Sequence, residues 1–154
     1  MPNRVHPVVL VVEDDPEEAT AIRESFEQLG YSEPIRLLER GTQAIDYLDG
    51  LGPFGRRSRY PLPDFMFIDL DISDANAFEI LEWLANRPEF RNLRVIVMTT
   101  GENVGNMNRA YALGAASFIT KPLNFSEFRD TVQSLYMQWA AANKETKLGE
   151  GART

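Results

Sequence analysis

Two uninterrupted apolar runs, each ending abruptly in acid, constrain this chain more than any other feature. Val8-Val9-Leu10-Val11-Val12 runs straight into Glu13-Asp14, and Phe65-Met66-Phe67-Ile68 runs into Asp69. Short β-branched or aromatic runs without polar alternation suit strands buried on both faces, as in a parallel sheet covered by helices. Helical stretches separate them. Asp15-Pro16-Glu17-Glu18 reads as a helix start, with Asp15 as cap, Pro16 in the first position and Glu18 closing a capping box. Ala19, Ile22, Phe26 and Leu29 follow at helical spacing, and Gly30 ends the element. Pro34 to Leu38 then predicts a short strand and about Gln43 to Leu48 a helix. Phe78 to Leu84, Val95 to Met98, Asn106 to Leu113 and Ser117 to Thr120 continue the alternation. A final helix starts at Asn124 and carries Phe125, Phe128, Val132, Leu135 and Trp139 on one stripe. The pattern predicts an α/β fold: a doubly wound parallel sheet with right-handed crossovers and helices on both faces.

A length of 154 residues fits one domain. The apolar pattern places it at 8–142, with a short extension at 1–7 that holds the lone His6 and a flexible polar tail at 143–154. Gly50 to Pro63, rich in glycine and proline, reads as an exposed loop. Its Arg56-Arg57-Ser58-Arg59-Tyr60 segment is read as solvated and not as a nucleic-acid patch, because the formal charge of the whole chain is −7. The absence of cysteine excludes disulfides, thiol catalysis and thiolate metal sites. No apolar run is long enough for a signal core or a membrane span, so a cytoplasmic location is expected, with no nucleic acid or membrane as partner.

Ligands of such a sheet bind beyond the carboxyl ends of its strands, where strand order reverses. Reactive groups stand at those ends: Glu13-Asp14 after the first strand, Asp69 after the third, Thr99 after the fourth and Lys121 after the fifth. In the order 2-1-3-4-5 the first and third strands are neighbours, and three carboxylates converge. Such a cluster takes up protons unless a cation neutralises it. Oxygen donors without sulfur or paired histidines favour a hard ion, Mg²⁺ or Mn²⁺. Phosphoryl chemistry follows, with Asp69 supplying an attacking oxygen, Thr99 a hydroxyl donor and Lys121 a compensating charge.

Val11-Val12-Glu13-Asp14, Phe67-Ile68-Asp69-Leu70-Asp71, Val97-Met98-Thr99 and Lys121-Pro122, in this order, resemble the receiver domain of two-component response regulators. The resemblance covers about Val8 to Tyr136. It implies a flavodoxin-like, five-stranded sheet in the order 2-1-3-4-5. It further implies that Asp69 is the phosphoacceptor for a sensor histidine kinase, that Glu13 and Asp14 help Asp69 to hold Mg²⁺, and that the main-chain carbonyl of Asp71 is a further ligand. Thr99 and Phe118 would form the switch pair, read out on the face of the fourth helix, fifth strand and last helix. Ser73 and Ala77 stand where the family usually has proline and glycine, which bears on the shape of the loop after Asp69. The long loop, the Thr99-Thr100 pair and the aromatic last helix resemble stand-alone regulators that accompany phytochrome-type kinases, which makes a bacteriophytochrome the expected kinase.

The last helix, about 19 residues and about 28 Å long at 1.5 Å per residue, would overhang the sheet. Tyr136, Met137 and Trp139 would then stay partly exposed as a homodimer or partner surface. Two alternatives compete: a Mg²⁺-dependent phosphatase resembling the haloacid dehalogenases, which have a similar Asp69-Leu70-Asp71 motif, and a receiver-like binding module that works without phosphate.

Overall fold

A computed structural model describes residues 7–31, 35–72, 74–101, 103–121 and 124–152, with side chains described as far as 142. His6, Ser73 and Pro122, singled out in the sequence, lie outside the described residues. Five strands, β1 (Val9–Val12), β2 (Ile35–Leu38), β3 (Phe65–Asp69), β4 (Arg94–Thr100) and β5 (Ser117–Lys121), alternate with five helices, α1 (Pro16–Gln28), α2 (Gly41–Asp49), α3 (Ala77–Ala85), α4 (Val104–Ala112) and α5 (Phe125–Ala152). The strands form one parallel sheet in the order β2-β1-β3-β4-β5. This is the flavodoxin-like order expected above.

Strand side chains alternate between two cores, as the period of two requires. Val9, Val11, Phe65, Phe67, Ile96 and Met98 pack with Ile22 and Phe26 of α1 and Phe128 and Val132 of α5. Leu10, Val12, Met66, Ile68, Val95 and Val97 face the opposite way, against α2, α3 and Ala110 of α4. Both faces of β1 and β3 are therefore dry, which explains their unbroken apolar sequences.

Several boundaries differ from the sequence reading. Helix α2 starts two residues before Gln43, at Gly41, and β4 continues two residues past Met98. The last helix reaches Ala152 instead of giving way to a tail at Asn143, because Ala140-Ala141-Ala142 and the Lys and Glu residues after them are strong helix formers. Tyr136 is buried, not partly exposed: it stacks on Tyr31 at 4.0 Å between ring centroids and packs against Phe65. Trp139 is half-buried against the same core, while Met137 is 73% exposed.

The Gly50 to Pro63 loop is exposed at its tips but internally braced. The Arg57 guanidinium donates to the carbonyl oxygens of Tyr47 and Leu48, both at 2.7 Å, closing the carboxyl end of α2. Tyr47, Phe54 and Tyr60 cluster beneath it, and the Tyr47 hydroxyl donates to the Pro61 carbonyl at 2.8 Å. Arg57 thus caps a helix instead of standing in solvent. No helix among the described residues is long and apolar enough to cross a membrane.

Candidate functional site

The parallel register sets Val12 of β1 beside Ile68 of β3, so the chain leaves β1 through Glu13 and Asp14 next to Asp69. Each of these three carboxylates places an oxygen within 4.8 Å of the others. Glu13 and Asp69 are buried and Asp14 is exposed, so the cluster opens on the side of Asp14. A small pocket of about 130 Å³ lies there, lined by Asp14, Glu39, Arg40, Ile72 and Asp74.

Lys121 ends β5, and its long stem carries the ammonium across the edge of the sheet. Nζ donates to Asp69 Oδ2 at 2.5 Å, to Glu13 Oε2 at 2.6 Å and to Glu18 Oε2 at 2.5 Å. Glu18 was expected to close a capping box with Asp15. Instead Asp15 caps α1 through the Glu17 N–H at 2.9 Å, and the Glu18 side chain turns to the ammonium. Ion pairing with a buried lysine outweighs a reciprocal cap. Glu18 is a partner of Lys121 that the sequence reading missed. Its signal was positional: the first turn of α1 stands directly over the carboxyl edge of the sheet.

Burial pushes the Glu13 carboxyl up to about 8, opposed by the Lys121 hydrogen bond and reinforced by Asp69. Burial alone would lower the Lys121 ammonium, but its hydrogen bonds to Asp69, Glu13 and Glu18 outweigh that and hold it above its ordinary value. One lysine does not balance the surrounding carboxylates. The all-oxygen donor set of Glu13, Asp14 and Asp69 fits a hard divalent ion, which would remove the cost of keeping them ionised.

Thr99, buried at the end of β4, turns its hydroxyl to the Asp71 carboxylate at 3.2 and 3.3 Å, and Asp71 also accepts from the Thr100 N–H at 2.9 Å. The Asp71 side chain is therefore engaged, not merely solvated. Its N–H donates to Asp69 Oδ1 at 2.8 Å. Phe118 lies opposite Val97 in β5 and rests half-buried against the core on the α2, α3 and α4 side.

The loop from β3 to α3 takes its shape from α2. The Gly41 N–H donates to the Asp74 carbonyl at 3.0 Å, and the Thr42 hydroxyl to the Asp74 carboxylate at 2.7 Å. A Cβ on Gly41 would sit 1.9 Å from the Ala75 carbonyl oxygen, so only glycine allows this approach. Ala75 has a positive φ of 48°, and Asn76 caps α3 through the Glu79 N–H.

The family model for the response regulator receiver domain matches residues 9–133. The chain belongs to that family. It is 32% identical over 137 residues to the "Probable methanogenesis regulatory protein FilR2" of Methanothrix harundinacea, covering 89% of this chain and 86% of that protein. A response regulator in red light signaling of R. palustris superposes with a TM-score of 0.75 at 28% identity, over 84% of this chain and 91% of that one. The Mn²⁺-bound form of Rcp1, a response regulator of Synechocystis sp., superposes with a TM-score of 0.67 at 25% identity, over 86% and 94%. Receiver domains are signalling domains of two-component systems, not enzymes of the ordinary kind, and this membership decides against the dehalogenase-like alternative. Among its receiver relatives the chain is similar to a bacteriophytochrome response regulator.

Proposed function

We propose that this receiver, spanning 8–142, accepts a phosphoryl group on Asp69 from a sensor histidine kinase in a reaction that needs Mg²⁺ or Mn²⁺. The observation carrying this reading is Lys121 Nζ in contact with both Asp69 and Glu13, at 2.5 and 2.6 Å, beside the exposed Asp14 carboxylate. One Asp69 oxygen bonds to phosphorus as the bond from phosphorus to the donor's imidazole nitrogen breaks. The electron pair stays on that nitrogen, which takes up a proton. Lys121 and Thr99 then donate to the phosphoryl oxygens. Glu13, Asp14, Asp69 and the Asp71 main-chain carbonyl would hold the metal ion, whose charge offsets that gathering on the phosphoryl group. Hydrolysis of the adduct returns Asp69 and inorganic phosphate.

Thr99 and Phe118 form the switch: as the hydroxyl leaves Asp71 for the phosphoryl group, the half-buried ring follows inward, and the face of α4, β5 and α5 changes. Exposed Val104, Tyr111 and Met137 support that face, or the α5 region of a homodimer, as the contact surface for a second protein. Similarity to a bacteriophytochrome response regulator supports a phytochrome-type kinase as the donor. Incubation with a small phosphodonor and Mg²⁺ should give a hydroxylamine-labile adduct, absent after chelation and absent in Asp69→Asn. An equal adduct in Asp69→Asn rejects the assignment. Adduct formation without any change in self-association or partner binding favours the phosphate-independent module.

A further inference from the structure

Acidic residues outnumber basic ones in this chain, 23 to 16, and several arginines hold a carboxylate. Arg87 pairs with Asp49 at 3.0 Å, Arg109 with Glu82 at 3.5 Å and Arg129 with Asp130 at 3.4 Å. The surroundings of Tyr60 are different. The guanidinium carbons of Arg36, on the edge strand β2, and of Arg59, in the loop between α2 and β3, lie 5.5 and 6.0 Å from the centre of its ring. Arg36 also donates to the Arg59 carbonyl at 2.8 Å, and Arg56 opens the turn, accepting at its carbonyl from the Tyr60 N–H at 2.8 Å. Among the described residues no carboxylate forms an ion pair with Arg36, Arg56 or Arg59.

Arg57, the fourth arginine here, is compensated by the carbonyl oxygens that end α2, but the other three are not. Gathering like charges costs free energy. Arg36 adds to that cost, because it is half-buried and its Nε is buried with no hydrogen-bond partner among the described residues. The Tyr60 ring holds the Arg36 and Arg59 guanidinium groups by cation–π attraction, which limits their freedom without neutralising them. Arg56 and Arg59 are exposed, so an anion from outside can reach them. The loop leads into the start of β3, so it stands at the amino ends of the strands, opposite the edge that carries Asp69. An occupant here leaves the phosphoacceptor uncovered.

We propose that Arg36, Arg56 and Arg59, arranged about Tyr60, form a docking surface for an acidic segment of a partner protein, separate from the phosphoacceptor edge. Carboxylates of that segment supply the countercharge that the chain itself does not. Planar guanidinium groups suit them, since each can meet a carboxylate with two parallel hydrogen bonds. A nucleic acid fits less well: its phosphates continue past the patch, where a chain of net charge −7 repels them, whereas a short acidic segment ends within it.

The test is fluorescence anisotropy of a labelled peptide of alternating Glu and Gly, titrated with the full chain at low ionic strength, where surface charges are least screened. A peptide with Gln in place of Glu and a labelled oligothymidylate serve as the other arms. The Glu peptide should bind, more weakly as salt is added, and the Gln peptide should not. Arg56→Glu, at a side chain free of the Tyr60 ring contacts, should weaken binding by about threefold, and Arg56→Glu with Arg59→Glu by about tenfold. Arg23→Glu with Arg91→Glu changes net charge equally at exposed positions elsewhere and should leave affinity within about twofold. No binding of the Glu peptide, or equal losses in the two double variants, overturns the proposal. Tighter binding of oligothymidylate than of the Glu peptide overturns the partner's class. Sedimentation of the peptide-free chain covers the remaining occupant: self-association abolished by Arg56→Glu with Arg59→Glu would put a second copy on the patch and overturn the acidic partner.

Discussion

Lys121 holds together carboxylates that would otherwise repel, and it does so from a strand two places away from Asp69. Removing one partner of a buried ion pair costs more than the pair is worth, because the other charge is left uncompensated. Lys121→Met should therefore destabilise the metal-free protein on the order of 3 kcal/mol at neutral pH, measured by urea unfolding, and added Mg²⁺ should recover part of the loss. An unchanged unfolding midpoint would mean that the cluster is not held by this ammonium. Glu13, Asp14, Asp69, Thr99 and Lys121 were legible in the sequence because each ends a strand, and strand ends of a parallel sheet converge. Glu18 was hidden because the same residue satisfies a local rule, the capping box, and only the folded distance to Lys121 shows which partner wins. Asp71 was legible as a neighbour of the acceptor, but its hold on Thr99 and Thr100 joins two strands and leaves no local pattern.

At the level of elements, the order and type of all five strands and five helices follow from periodicity, while their ends do not. Helix α2 begins at a glycine, which propensity disfavours, because Gly41 must lie under the Asp74 and Ala75 carbonyls. The Gly50 to Pro63 segment reads as open loop because nothing local reveals that Arg57 turns back to cap α2. The sheet's α1 and α5 side depends on three rings: Phe26 meets Phe67 and Phe128 edge-on at 5.5 and 5.2 Å between centroids. Phe128→Ala should cost about 3–5 kcal/mol by opening a cavity between α5 and β3. A denaturation loss below about 1 kcal/mol would show that α5 is not docked through this ring.

At the scale of the whole molecule, two cores occupy the opposite faces of one sheet, and the reactive groups gather at the carboxyl ends of its strands. Tyr136 marks where the expected overhang of the last helix misled the reading of its surface, since its ring fills the gap beside Tyr31 and Phe65 instead of facing a partner. Burial, then Tyr31 and Asp64, raise its hydroxyl above the ordinary tyrosine value, and burial also raises Tyr47. The folded state then keeps protons that the unfolded chain loses near pH ~10. Tyrosine-linked stability should be intact below that pH and fall above it, with Tyr136→Phe flattening the decline in alkaline unfolding curves. An identical decline in that variant would place the sensitivity elsewhere. The central claim, that one sheet edge assembles a metal-assisted phosphoacceptor, is met most directly by a crystal structure with Mg²⁺ and beryllofluoride. The account predicts beryllium bonded to an Asp69 oxygen, fluorides taking hydrogen bonds from Lys121 and Thr99, and the ion among Glu13, Asp14 and Asp69. Beryllofluoride bound elsewhere, or Asp69 still paired as in the unmodified protein, would contradict it.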